Sequence, residues 1–298
     1  MAVRVLALVI SCRVSSMPCS VAPGAAGLVL ADCQRSVRIT DTPMSDVNAI
    51  ASRRRAFLSA EWRYLIMLNF EVDAAILRPL VPEGTTIDLW RGRALVSVVG
   101  FRFLHTRMFG VPVPFHGSFD EVNVRFYVRH TTPNGEKRRG VVFVRELVPR
   151  KAIAIVARLV YNEPYATVPM RSTAPAGELN SIGRVSYEWY MAGQWERMAV
   201  TAVGLPNLPL AESEAEFVTD HYWGYTRQRD GATVEYEVAH PPWRVWSASA
   251  PELGMLGNCG KEFEDAFAEP PSSVLLAEGS PVVVFSPCRI ILPSLARE

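Results

Sequence analysis

The sequence predicts an α+β domain, rich in strands that connect as hairpins into a curled antiparallel, barrel-like sheet carrying a few packed helices. Three observations lead there. From about Phe57 onward, short apolar runs alternate with turn residues every few positions. Turn pairs such as Asn134-Gly135 and Asp230-Gly231 join neighbouring runs as hairpins. Few segments have helical periodicity, and strands outnumber them.

Taken in order, Tyr64 to Phe70 reads as a buried strand. Asp73 caps a short helix, Ala74 to Leu80, that Pro82 and Gly84 stop. Thr86 to Leu89 and Ala94 to Phe103 read as a hairpin across Arg91-Gly92. The Pro- and Gly-rich stretch from His105 to Gly117 is long enough for a functional loop or lid. Ser118 to Arg129 is the most informative strand. Val122, Val124, Phe126 and Val128 alternate with Phe119, Glu121, Asn123, Arg125 and Tyr127. Period two puts the first set in the core and turns the second toward water or a polar cavity. Gly140 to Val148 pairs back and is apolar on both faces at Val141 to Val144, as in a strand buried on both sides. Ala152 to Tyr161 carries Ile153, Val156, Ala157 and Val160 at helical spacing. Further hairpins join Arg184–Met191 to Glu196–Ala202, and Tyr225–Gln228 to Thr233–Val238. An amphipathic helix is expected over Ala211 to Tyr222, and a late strand over Val282 to Ser286.

Residues 1 to about 50 lack periodicity and carry scattered Pro, Gly and Ser, so they are read as an extension that does not pack on the domain, with Met44 as an alternative start. The domain is read over residues 57 to 293. Lys and Arg number 31 against 30 Asp and Glu, which argues against nucleic acid and anionic membrane as partners. No apolar stretch reaches the length of a membrane span. Five scattered cysteines and five scattered histidines show no metal-ligand spacing, and no nucleotide-binding glycine motif occurs, so no metal and no cofactor is expected. The odd cysteine count suits a reducing cytoplasm. The run Val9-Ile10-Ser11-Cys12 superficially fits a lipoprotein cleavage site and leaves export as the alternative.

Two anomalies point to chemistry. Arg145 and Glu146 are consecutive charges in a strand that is otherwise buried on both faces. Each needs a partner, and Glu121 and Arg125 on the preceding strand are candidates. Together the four read as a polar cluster lining a cavity, or as an ion-pair network that only orders the sheet. Arg150 and Lys151 stand where the helix dipole is positive, an unfavourable place for cations. A third cluster is aromatic: His221, Tyr222, Trp223 and Tyr225, then Trp243 and Trp246 after His240, a ligand-lined wall or plain core.

The blocks from Phe57 to Phe103, Val111 to Arg129, Gly140 to Tyr165 and His221 to Trp246 resemble the YqjF-like family, a domain of unknown function. That family is similar in turn to the acetoacetate decarboxylase superfamily, which implies a β-rich barrel around an internal cavity. Phe119-Asp120-Glu121 resembles the decarboxylases' Y-x-E. Val144-Arg145-Glu146-Leu147 followed by Pro149-Arg150-Lys151 resembles their G-R-E-L and P-K-K, with a shorter spacer. The first lysine of P-K-K forms the Schiff base there, and here Arg150 takes that place. Arginine stays protonated and forms no imine. Lys151 is displaced by one residue, so it is not expected to form one either, and acetoacetate decarboxylation is not expected. The expectation is a small-molecule ligand, a carbonyl or carboxylate compound, with Arg125 or Arg145 holding an anion. Glu121 or Glu146 would serve as acid or base, and Lys151 would be the remaining candidate amine. Whether the chain is an enzyme, a non-catalytic binding module or a structural protein stays open at this stage.

Overall fold

A computed structural model describes residues 56–173, 183–257 and 259–290. The extension read over residues 1 to about 50 lies outside them. Among the described residues, fifteen strands form one sheet. β1 (Ala56–Val72), β3 (Ala94–Met108), β5 (Phe119–Thr131), β6 (Lys137–Val148), β11 (Trp223–Arg227), β12 (Thr233–Ala239) and β14 (Ser273–Phe285) pair in a ring. The ring closes where β12 meets β14, Val238 opposite Val284. Its pairs are antiparallel except β6 with β11. Beyond β14 the sheet continues through β13 (Val245–Leu253), β10 (Gln194–Asn207), β9 (Arg184–Met191) and β8 (Met170–Ser172) and folds back over the ring.

Alternation along the ring strands divides the core in two. On β1, Ile66 and Leu68 face outward with Val96, Val98, Val122, Val124 and Phe126, and these pack against Tyr187, Trp189 and Met198 of the folded-back layer. Leu65 and Met67 face inward with Val99, Phe101, Phe103, Tyr127 and Val141. Strand β1 is therefore apolar on both faces, whereas β5 keeps its period of two because its inward face carries polar residues.

Helix α1 (Ala74–Leu77) starts where expected: Asp73 accepts a hydrogen bond from the Ala75 amide at 2.8 Å. A 3-10 turn, Arg78–Leu80, completes it. Helix α2 (Lys151–Val160) follows β6 and lays Ile153 and Ala157 toward the interior. Helix α3 (Glu214–Thr219) is shorter than the expected Ala211–Tyr222, because Ser213 caps it and it ends at Asp220. Helix α4 (Lys261–Ala268) and strand β13 lie in a stretch for which the sequence reading proposed no element.

Three expectations need correction. The short strand β2 (Thr85–Ile87) pairs with β5, not with β3, so Arg91-Gly92 only makes a local turn between Trp90 and Arg93. The stretch from His105 to Gly117 is not one loop: β3 continues to Met108 and pairs with β4 (Val111–Pro112) across Phe109-Gly110. The late strand expected over Val282–Ser286 is the end of the longer β14, which begins at Ser273 and stops at Phe285. No helix among the described residues is long and apolar enough to cross a membrane.

Candidate functional site

The inward faces of the ring line a partly open cavity of about 140 Å³. That is the size that accommodates a molecule of about six non-hydrogen atoms. Its wall is mostly aromatic and aliphatic, with Trp62, Phe101, Phe103, Phe143 and Trp243 among the lining. Val113 and His116, from the turn after β4, lie at its rim and are half-buried.

β5 supplies Glu121, Asn123 and Arg125 to this wall, as its odd-position alternation predicts. β6 supplies Glu146. The partner register explains how. Val124 lies opposite Arg145, but Arg125 lies opposite Phe143, so Val144 is an extra residue in β6. This bulge reverses the alternation. Phe143 and Glu146 both face the cavity, while Arg145 turns to the outer side with Val124, near Gly257. Arg145 therefore does not share the cavity, contrary to the sequence expectation. Lys151, at the first turn of α2, is exposed and absent from the lining, so the structure does not bring it to Glu121 either. Among the described residues, no lysine lines the cavity.

The expected ion pairs are replaced by a carboxyl cluster. Glu146, Glu121 and Glu163 are 1 %, 2 % and 7 % exposed and line the same cavity. Glu163, on the segment between α2 and β7 (Tyr165–Thr167), was not anticipated, because nothing local marks it: only the parallel pairing of β7 with β6 carries it to Glu146. Asn123 Nδ2 donates to Glu121 Oε1 at 3.0 Å, and the Tyr165 hydroxyl donates to Glu121 Oε2 at 3.3 Å. The Tyr236 hydroxyl donates to Glu163. Glu146 Oε2 is buried without a partner. Gly224 on β11 leaves room for this arrangement, since a Cβ there would fall 2.1 Å from the Tyr236 ring.

Burial dominates the electrostatics. Loss of hydration pushes Glu121 up to about 7 and Glu163 up to about 8. Burial raises Glu146 as well, reinforced by the Glu163 and Glu121 charges. Like-charged carboxyls crowded in a dry site share protons rather than all ionise. Arg125 is the cation of the wall: it favours ionised Glu121 and donates from Nη2 to the Val218 carbonyl at 3.2 Å. At this side His221 and His240 are buried and held neutral, both pushed down to about 4 by desolvation.

The sign of the resulting pH dependence follows directly. Carboxyls raised above 4.5 stabilise the fold fully below that value, and the contribution is lost as pH rises through about 7 and 8. The two histidines act oppositely, but only between about 4 and 6.5. From pH 6.5 to 8.5 the carboxyls are left to act alone, and stability should fall by about 2 kcal/mol, or roughly 5 °C in melting temperature. Glu163→Gln should flatten that slope in a thermal-melt series. An unchanged slope would mean that Glu163 is not a protonated buried carboxyl.

The aromatic cluster divides: Trp223, His221, His240 and Trp243 line the cavity, whereas Tyr225 and Trp246 belong to the outer core. His240 stacks on Trp243 at 4.1 Å.

A family model for DUF2071, an uncharacterized conserved protein, matches residues 59–286. Uncharacterized protein YqjF of Bacillus subtilis (strain 168) is 25% identical over 190 residues, which are 63% of this chain and 75% of that protein. Acetoacetate decarboxylase from Legionella pneumophila superposes with a TM-score of 0.56 at 11% identity, covering 80% of this chain and 89% of the other. The enduracididine biosynthesis enzyme MppR, in complex with pyruvate, gives 0.54 at 15% identity, covering 79% and 90%. An acetoacetate decarboxylase-like enzyme from Sphingomonas wittichii RW1 gives 0.54 at 14%, covering 79% and 93%. At such identities the likeness establishes a shared fold, the acetoacetate decarboxylase-like curled sheet.

Proposed function

This chain belongs to the DUF2071 family of uncharacterized conserved proteins, and on that premise we propose that it binds a small carboxylate bearing a carbonyl group and moves protons on it. The observation that carries this reading is a cavity lined by both a buried cation, Arg125, and the buried Glu121–Glu146–Glu163 carboxyl cluster. Arg125 offers the planar donor edge that a carboxylate fits. Glu146, kept protonated by burial and its acidic neighbours, can donate to a carbonyl oxygen. Glu121, poised near neutrality and oriented by Asn123 and Tyr165, can take a proton from the adjacent carbon. The carbonyl oxygen gains negative character as that proton leaves, and the Glu146 hydroxyl stabilises it. The cavity's size suits an acid of pyruvate's dimensions, the ligand with which the structural neighbour MppR is described. An imine route finds no support, since no amine lines the cavity among the described residues.

The test is proton exchange. Purified protein with pyruvate in D2O should speed deuteration of the methyl group over buffer, read by proton NMR. Glu121→Gln should slow that exchange by at least about 100-fold while pyruvate still binds. Arg125→Gln should weaken binding itself by about tenfold or more. If neither pyruvate nor acetoacetate binds saturably, the reading is wrong. Binding without exchange would identify a non-catalytic binding module instead.

A further inference from the structure

We infer that His221 is a specificity-determining residue of this cavity, presenting Nδ1 as a fixed hydrogen-bond acceptor that selects small acids carrying a hydroxyl or amine donor. The inference rests on the reading that Arg125 holds the ligand's carboxylate, and it narrows the substrate class beyond that reading.

Three observations converge on it. His221 lines the cavity, and its side chain is 1 % exposed. Its ring is wedged between Tyr127 at 4.6 Å and Phe217 at 5.1 Å between centroids, which restricts its rotation. Nε2 stands 3.4 Å from Asp88 Oδ2, near enough to feel its charge but without a well-formed hydrogen bond, and Nδ1 is likewise buried with no partner.

Asp88 settles which nitrogen carries the proton. Arg139 Nε donates to the same Oδ2 at 2.8 Å, and this cation together with His221 holds the carboxyl down at about 2. An ionised carboxylate only accepts, so the nitrogen facing it must be the protonated one. The imidazole is neutral, pressed down by burial and by the Arg139 and Arg125 charges. A neutral ring protonated at Nε2 has a lone pair at Nδ1. Buried acceptors are seldom left unpaired in folded proteins, and one on a cavity wall is matched by what the cavity holds.

Arg125 ties this acceptor to the anion site. Its Nη2 bonds to the carbonyl of Val218, three residues before His221 on the same turn, and its charge acts on the His221 ring. A carboxylate on Arg125 therefore lies next to an imidazole that repels lone pairs and welcomes a donor. Pyruvate has no donor to offer. 3-Hydroxypyruvate keeps the ketone and adds a hydroxyl at nearly the same size, lactate carries a hydroxyl in place of the ketone, and one of them should satisfy Nδ1.

The experiment measures the dissociation constants of pyruvate, lactate and 3-hydroxypyruvate by calorimetry, for the full chain and two variants. At least one hydroxylated acid should bind about tenfold more tightly than pyruvate. His221→Phe should erase the preference, so that within that variant the hydroxylated acids bind no more tightly than pyruvate, and His221→Asn should keep it, because the amide oxygen can replace Nδ1. Nitrogen-15 shifts of labelled imidazole in the unliganded protein provide a readout that needs no variant to fold. They should show Nε2 protonated and Nδ1 bare. Equal affinities for all three acids, a preference that survives His221→Phe, or a proton on Nδ1 would each overturn the assignment. Failure of every acid to bind would instead bring down the Arg125 reading, and this inference with it.

Discussion

Gly279→Ala is expected to cost more than about 4 kcal/mol, enough to lower the melting temperature by ten degrees or more. Gly279 pairs with Arg63 where β14 meets β1, a seam that the ring needs in order to close. Its φ is +81°, and a Cβ would stand 2.0 Å from the Trp62 carbonyl oxygen and 2.7 Å from its carbon. Both atoms are backbone, so no rotamer change relieves the overlap, and the two strands would have to separate. Gly110→Ala is the control. There φ is +80°, but nothing lies within 4 Å of the added carbon. Only the left-handed backbone cost of about 1–2 kcal/mol should appear. Thermal melts of the two variants separate the contributions, and similar losses for both would show that the β1–β14 approach is not tight.

Arg138→Met should destabilise by about 3–5 kcal/mol, because it strands a buried carboxylate. Arg138 on β6 reaches across β11 to Glu235 on β12, Nη1 to Oε1 at 2.5 Å, with side chains 3 % and 5 % exposed. Its Nη2 also meets Glu136 at 3.0 Å, and the guanidinium lies over the Trp223 ring at 4.2 Å. Burial already raises Glu235, and loss of Arg138 removes the largest influence opposing that rise. The double variant Arg138→Met, Glu235→Leu should recover most of the loss, since it removes both charges from the same dry place. Urea titrations of both proteins give the comparison. A single-variant loss below about 1 kcal/mol would mean that water reaches the pair.

Much of this protein was legible in its sequence. Asp73 announced a helix start, and Asn134-Gly135 and Asp230-Gly231 announced hairpins, because capping and tight turns are chemistry within a few residues. The alternation in β5 put Glu121, Asn123 and Arg125 on one face, and that face is the cavity wall. Partnership was less legible. The Arg91-Gly92 turn suggested that β2 pairs with β3, yet β2 pairs with β5. A short strand has little pattern with which to specify its neighbour, and the sheet that holds it is assembled from distant segments.

The composition of the site itself was a tertiary decision. The sequence by itself determined a strand-rich fold, an inward polar stripe on β5 and a pair of charges, Arg145 and Glu146, with one bound for each face. Which one went inward depended on a single extra residue, Val144, whose bulge exists only relative to β5 and reverses every side chain beyond it. That bulge turned Arg145 out and Glu146 in, so Glu146 meets the Glu121 and Glu163 carboxyls instead of an arginine partner. Glu163 and His221 reached the same cavity through β6–β7 pairing and the turn after α3, contacts between segments far apart in sequence. Sequence periodicity reports the faces of one strand. The electrostatics of the site depend on which faces meet, and only the closed sheet decides that.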